Sequence, residues 1–145
     1  MADASPPKAL ELSRYCVPFT PFGAKLEDAA ICLVSTAAVR HRDDEPFDPD
    51  GDATWRVIAS ESDAKDLRYD DTHYDHACVD RDLNCVFPID RVRELAAEQR
   101  VGGLTARHFS LGYSSALRDL RERTIPALVR EIDRERPGAV LLTGG

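Results

Sequence analysis

The sequence predicts a single α/β domain with a mostly parallel sheet and a long, irregular acidic loop. Two continuous apolar segments, Ala30 to Val34 and Ala139 to Leu142, are typical of strands buried on both faces. Helical periodicity lies between them, and an order of strand, helices and strand favours a parallel sheet. The length of 145 residues, of which 43% are hydrophobic, fits one core and not two.

The first half of the chain supplies one predicted core strand and much of the loop. Residues 1–14 are polar and contain prolines, which predicts a flexible tail, and the domain covers residues 15–145. Ser35 and Thr36 stand at the carboxyl end of the first strand. Residues 40–52 carry two prolines and a glycine and are predicted as a loop, and residues 55–58 as a short strand at an edge.

The second half supplies the helices and the last strand. Residues 60–87 are predicted to be irregular, and Pro88 and Asp90 begin a helix that ends before Gly102. A second helix from about Ser114 to Ile132 must kink or divide at Pro126, which cannot donate a backbone hydrogen bond. The strand 139–142 follows, and we expect the sheet to be incomplete at this carboxyl end, because no helix follows to cover that strand.

The charge is concentrated in one segment. The net charge is -7, and residues 41–82 contain 14 acidic and five basic side chains, whereas the rest of the chain is slightly basic. This composition argues against a nucleic-acid partner. No apolar run approaches the roughly 20 residues of a membrane span, and nothing indicates export, so we expect a cytoplasmic protein with reduced thiols.

The densest group of polar side chains is the run from Asp70 to Asp82. His73, Asp75 and His76 form an H-x-D-H pattern, which is half of the metal motif of one class of metal-dependent hydrolases. Two other interpretations stay open: hydrogen-bonded loop residues, or a pocket for an organic substrate. We expect no tightly bound metal, because the candidate ligands lie in one segment and His108 is the only later histidine.

Several longer runs resemble one known family. The runs are Phe19–Phe22, Val34–Val39, Asp44–Phe47, Gly51–Asp52, Trp55–Ile58, Thr72–His76, Asp80–Arg91, Gly103–Leu104 and His108–Tyr113. In this order they resemble the selenoprotein B family of glycine, sarcosine, betaine and D-proline reductases. Long motifs in the right order are more specific than any single short pattern.

The resemblance implies an oxidoreductase that cleaves a carbon–heteroatom bond of a small molecule with a selenol or thiol, reduced by a dithiol electron donor. In that family the selenocysteine or cysteine follows the strand that here reads Ala139 to Thr143, so the redox centre is expected beyond Gly145. One hypothesis is truncation at a selenocysteine codon that is read as a stop. The alternatives are a noncatalytic binding or partner subunit, which would assemble into an oligomer, and a metal-dependent hydrolase.

The predicted site is a crevice at the carboxyl ends of the two apolar strands, covered by residues 60–87. Its proton donors are predicted to be histidines whose pKa values are raised by neighbouring carboxylates. The candidate catalytic residues are His73, His76 and His108, and the candidate substrate-binding residues are Ser35, Thr36, Asp75, Asp80, Asp82, Asn84, Thr143 and Gly144.

Overall fold

The computed structural model describes residues 21–73 and 75–144, and the predicted tail 1–14 lies outside them. An α/β fold is confirmed. The strands are β1 (Ala30–Ser35), β2 (Val39–His41), β3 (Trp55–Ala59), β4 (Leu67–Tyr69), β5 (Gly103–Leu104), β6 (Arg107–Leu111) and β7 (Ala139–Thr143), and the two longer helices are α1 (Ile89–Ala97) and α2 (Ile125–Glu135).

The main sheet is built around β1. Strand β7 runs parallel to β1 along one edge, with Ile31 opposite Ala139 and Ser35 opposite Thr143. Along the other edge β1 pairs in parallel first with β5 and then with β6, while β3 pairs with β6 in the antiparallel direction. A second, two-stranded antiparallel sheet joins β2 and β4. The sheet is therefore mixed and not mostly parallel as predicted, because β3 returns antiparallel at the edge.

The two faces of β1 bury different side chains. Ile31 and Leu33 belong to the core under α1, whereas Cys32 and Val34 pack against Leu128 of α2. This alternation is the two-residue period of a strand with both faces covered. The continuous apolar run of β1 thus has the burial that the sequence predicts.

Strand β7 is a strand as predicted, but it is not buried. Val140 and Leu141 are each 41% exposed and Leu142 is 72% exposed. Among the described residues β7 pairs with β1 alone, so its other edge carries no neighbouring strand. The apolar sequence correctly predicts a strand, but burial also requires elements on both sides of it.

The predicted second helix is divided near Pro126. One α-helical turn (Leu117–Asp119) leads into a π-helical stretch (Leu120–Thr124), and α2 begins at Ile125 with Pro126 in its first turn. The backbone remains right-handed helical across this junction, where the N–H of Ile125 donates to the carbonyl of Leu120. The division is therefore a change from π-helical to α-helical hydrogen bonding and not an end of the helix. In the described part of the chain, no helix is long and apolar enough to cross a membrane.

Candidate functional site

The carboxyl ends of β1 and β7 are joined directly. The backbone N–H of Thr36 donates to the carbonyl of Thr143 over 3.1 Å. The hydroxyls of Ser35 and Thr143 both donate to the carbonyl of Val86, over 2.9 and 2.7 Å. These bonds fix the segment before α1 against the end of the sheet, so Ser35, Thr36 and Thr143 lie together as predicted, with Gly144 exposed beside them.

A tight turn after β1 brings part of the acidic segment to the same edge. Ala38 has a left-handed backbone (φ 51°), and its N–H donates to the carbonyl of Leu111 at the end of β6. The backbone N–H of Asp70 donates to the carbonyl of Ala38 over 3.2 Å. The chain that follows Asp70, beginning with Asp71, therefore starts next to the ends of β1 and β6.

These elements surround a cavity of about 190 Å³, which we call the strand-end cavity. Gly112, which lines the cavity, is tightly packed. Its N–H donates to the carbonyl of Thr54, and a Cβ at this position would lie 2.6 Å from the ring of Phe47. A side chain at position 112 would thus have no space. The cavity is lined by Thr36, Asp71, Leu111, Gly112, Tyr113, Ser114 and Leu120.

His73 lies beside this cavity and contacts two of the residues that line it, Asp71 and Tyr113. Its ring stacks on Tyr113 with centroids 3.8 Å apart and planes at 30°. Its Nδ1 lies 2.8 Å from the Oδ1 of Asp71, which is 5% exposed. An ionised carboxylate only accepts hydrogen bonds, so Nδ1 carries a proton and Nε2 is the nitrogen left to exchange a proton with a ligand. A carboxylate that orients an imidazole is the usual arrangement of a general acid or base.

His108 lies elsewhere, inside the core on the side of the sheet that faces α1. It is fully buried, and its Nδ1 accepts the backbone N–H of Leu33 over 3.1 Å. Burial, with a smaller contribution from the charge of Arg93, lowers its pKa from 6.5 to about 4. The expectation of a raised pKa is wrong for His108, because no carboxylate lies within salt-bridge distance in the described part of the chain. A catalytic role for His108 stays a prediction.

The other predicted site residues are spread along the acidic segment. His76 and Asp80 line a separate cavity of about 440 Å³, and the His76 ring meets Tyr69 edge-on. Asp75 accepts the N–H of Ala77, which closes a local turn. These three residues are thus not in the strand-end cavity, and their catalytic or substrate-binding roles stay predictions.

Asp82 and Asn84 also form local structure. The Asp82 carboxylate accepts hydrogen bonds from the side chain and backbone of Asn84, and these bonds lower the pKa of Asp82. Asn84 in turn bonds both the backbone and the carboxylate of Asp90 at the start of α1. This chain of bonds holds the short turn Leu83–Cys85 against the helix.

Residues 21–73 and 75–144 contain no group of three His, Cys, Asp or Glu side chains placed to hold a metal. The cysteines in these ranges, Cys32, Cys78 and Cys85, are free thiols, and burial raises the pKa of Cys32. Cys32 is therefore a buried apolar side chain of β1 and not an ionised nucleophile.

Sequence reasoning missed the two residues that line the strand-end cavity and contact His73, Asp71 and Tyr113. Asp71 precedes His73 by two positions and accepts its backbone N–H over 2.8 Å, a spacing that favours this kind of turn. Tyr113 follows Gly112, where the backbone comes closest to the loop at Asp52. The Asp-x-His spacing is a pattern that could have identified the first, whereas the second depends on tertiary contacts.

Comparison with known proteins gives one informative relative. No family model and no solved structure matches the chain. The D-proline reductase subunit gamma of Acetoanaerobium sticklandii is 34% identical over 128 residues, which are 88% of this chain and 53% of that subunit. The chain spans about half the length of this relative, and it is similar in sequence to a subunit of a reductase.

Proposed function

We propose that this chain is part of a selenol- or thiol-dependent reductase subunit that cleaves a carbon–heteroatom bond of a small molecule. The observation that supports this most is the strand-end cavity, where Thr36 and Asp71 line the carboxyl edge of parallel strands and His73 is bonded to Asp71 beside them. Ligands bind at this edge in α/β sheets. The similarity to a D-proline reductase subunit supports reductive cleavage as the class of reaction.

The residues of the chain supply binding and proton transfer in this proposal. His73 delivers a proton from Nε2 to the departing heteroatom, while Asp71 holds the ring through Nδ1. Tyr113 packs on one face of the ring and limits its rotation. The hydroxyl of Thr36 lies where it can bond a polar group of the substrate.

The redox centre, a selenocysteine or cysteine supplied outside residues 1–145, provides the electron pair. A residue that follows β7 would lie at the same edge as Thr36, since Thr143 is bonded to it. Overall, one carbon–heteroatom bond is broken, two electrons and two protons are taken up, and a dithiol donor is oxidised to a disulfide. Such chemistry belongs in a reducing compartment, and we propose the cytoplasm.

The test begins with the gene. A TGA codon after Gly145, followed by an in-frame coding stretch with a nearby cysteine codon, supports the reductase, and an ordinary stop with no continuation opposes it. The full product is then assayed for the opening of D-proline to 5-aminopentanoate with dithiothreitol as the donor. His73→Gln should lower kcat by at least about a hundredfold.

His41→Gln is the matched control, because His41 is another histidine of the acidic segment, and its ring bonds Ser62 and no residue that lines the strand-end cavity. We expect this variant to keep its activity. Equal losses in both variants, or full activity in His73→Gln, would contradict the assignment of His73 as the proton donor.

A second candidate function, a noncatalytic partner subunit, is favoured by the edge of β7. Three apolar side chains are exposed there, and an uncovered apolar edge strand is a typical place for another polypeptide segment to pair. Light scattering after size exclusion should then find the chain in an oligomer or in complex with a co-purified subunit. Leu142→Lys should reduce that association. Leu117→Lys should not, because Leu117 is also exposed but lies in the helical turn before Pro126 and not on β7.

A further inference from the structure

A second cavity lies away from the strand-end cavity, and the two share no lining residue. It has a volume of about 440 Å³, within the range of small-molecule sites. Its walls are the turn Ala64–Asp66, β4 and the turn that leads into Leu83. The cavity is thus built by the acidic segment itself, and we call it the loop cavity.

The inner surface of the loop cavity carries both polar and apolar groups. Leu67 and Val79 are 3% and 8% exposed and belong to the main core, while Leu83 and Tyr69 pack against that core. These side chains are held in place by the packing beneath them. They close the base of the cavity but leave little apolar area for a ligand, so recognition has to come mainly from the polar and charged groups.

The rim of the loop cavity carries most of the positive charge of the segment. Lys65, Arg68 and Arg81 line it, against one carboxylate, Asp80. This is the reverse of the segment as a whole, in which residues 41–82 hold 14 acidic and five basic side chains. The cations of the segment are thus concentrated around one cavity.

Two of those three cations, Arg68 and Arg81, have no carboxylate partner among the described residues. The third, Lys65, forms an ion pair with Asp63, and elsewhere in the segment Arg42 and Arg56 pair with Asp66 and Asp52. Over the described residues, neither Arg68 nor Arg81 has a carboxylate within salt-bridge distance, although carboxylates outnumber cations in the segment. Arg68 is oriented by donating Nη1 to the carbonyls of Lys65 and Leu67, over 2.9 and 2.6 Å.

From this arrangement we infer that the loop cavity binds a small organic carboxylate, with its carboxyl group on Arg68 and Arg81. Guanidinium groups bind carboxylates with paired, charge-assisted hydrogen bonds. The volume of about 440 Å³ fits a small molecule better than an acidic peptide, which would lie across the rim. This site is separate from the proposed reductase site and does not depend on it.

The test uses benzoate as the probe and benzamide as its uncharged counterpart of the same shape. In a titration of the 145-residue chain followed by amide NMR at constant ionic strength, benzoate should shift signals of residues 64–83. Benzoate should bind about tenfold more tightly than benzamide. Arg81→Gln should weaken benzoate binding about tenfold, and its fold should be intact because the Arg81 side chain has no partner among the described residues.

The matched control is Arg56→Gln, which removes the same charge from the same segment but away from the loop cavity, because Arg56 pairs with Asp52. It should leave benzoate affinity unchanged. Equal binding of benzoate and benzamide, or equal weakening by the two variants, would overturn the inference. So would binding of a hexaglutamate peptide to residues 64–83 without any benzoate binding, since that result would identify an acidic polypeptide as the ligand.

Discussion

Replacement of His108 with glutamine should remove a large part of the acid sensitivity of the fold. His108 is fully buried, and its pKa is lowered from 6.5 to about 4. Between these two pH values the unfolded chain binds a proton at His108 that the folded chain does not bind. The free energy of unfolding therefore falls as the pH drops from about 6.5 and levels off below about 4. At 1.36 kcal/mol for each pKa unit, the full loss is about 3 kcal/mol.

Urea denaturation of both proteins at pH 7.5 and pH 4.5 measures this effect. Glutamine does not titrate, and its side-chain oxygen can accept the N–H of Leu33 that His108 accepts now. His108→Gln can be less stable than the wild type at pH 7.5, but its loss between the two pH values should be smaller by about 2–3 kcal/mol. Parallel losses in the two proteins would refute the buried, neutral state of His108.

Three further substitutions test the backbone and the core at pH 7.5, each by urea denaturation. Gln99→Gly should raise the free energy of unfolding by about 0.5–1 kcal/mol, because the exposed Gln99 follows the end of α1 with φ 57°, a conformation that glycine adopts without strain. A lower free energy of unfolding would contradict the left-handed backbone. Gly112→Ala should lower this free energy by about 1–3 kcal/mol, because the new Cβ would lie 2.7 Å from the carbonyl oxygen of Asp52; an unchanged value would mean that this contact is looser. Ser110→Ala should lower it by about 1–3 kcal/mol, because the N–H of Val39 would lose its buried acceptor, and a neutral result would show that water replaces the hydroxyl.

Local patterns in the sequence were sufficient for several elements. The apolar run of β1 predicts its strand and its burial, since every residue from Ile31 to Ser35 is buried. Pro88 and Asp90 correctly predict the start of α1, and Pro126 the division of the second helix. These features depend on backbone chemistry and on the period of apolar residues, which are properties of neighbouring residues.

The site was only partly predictable. The rule that parallel strands end at one edge places Ser35, Thr36 and Thr143 together, and the structure agrees. The structure does not bring His76 and His108 to that edge. The long segment that carries the histidines includes a strand, β4, whose pairing with β2 decides which side chains reach the cavity.

By itself the sequence determined the fold class, the buried strand β1, the start of α1 and the edge where the strands end. Only the tertiary structure decided that β6 is a central strand. Its two buried polar residues, His108 and Ser110, are 0% exposed and accept the backbone N–H groups of Leu33 and Val39. Those N–H groups lie 75 and 71 positions away in the chain. A polar side chain is stable in the core only where it meets such a partner, and no local pattern shows which distant backbone group it will meet.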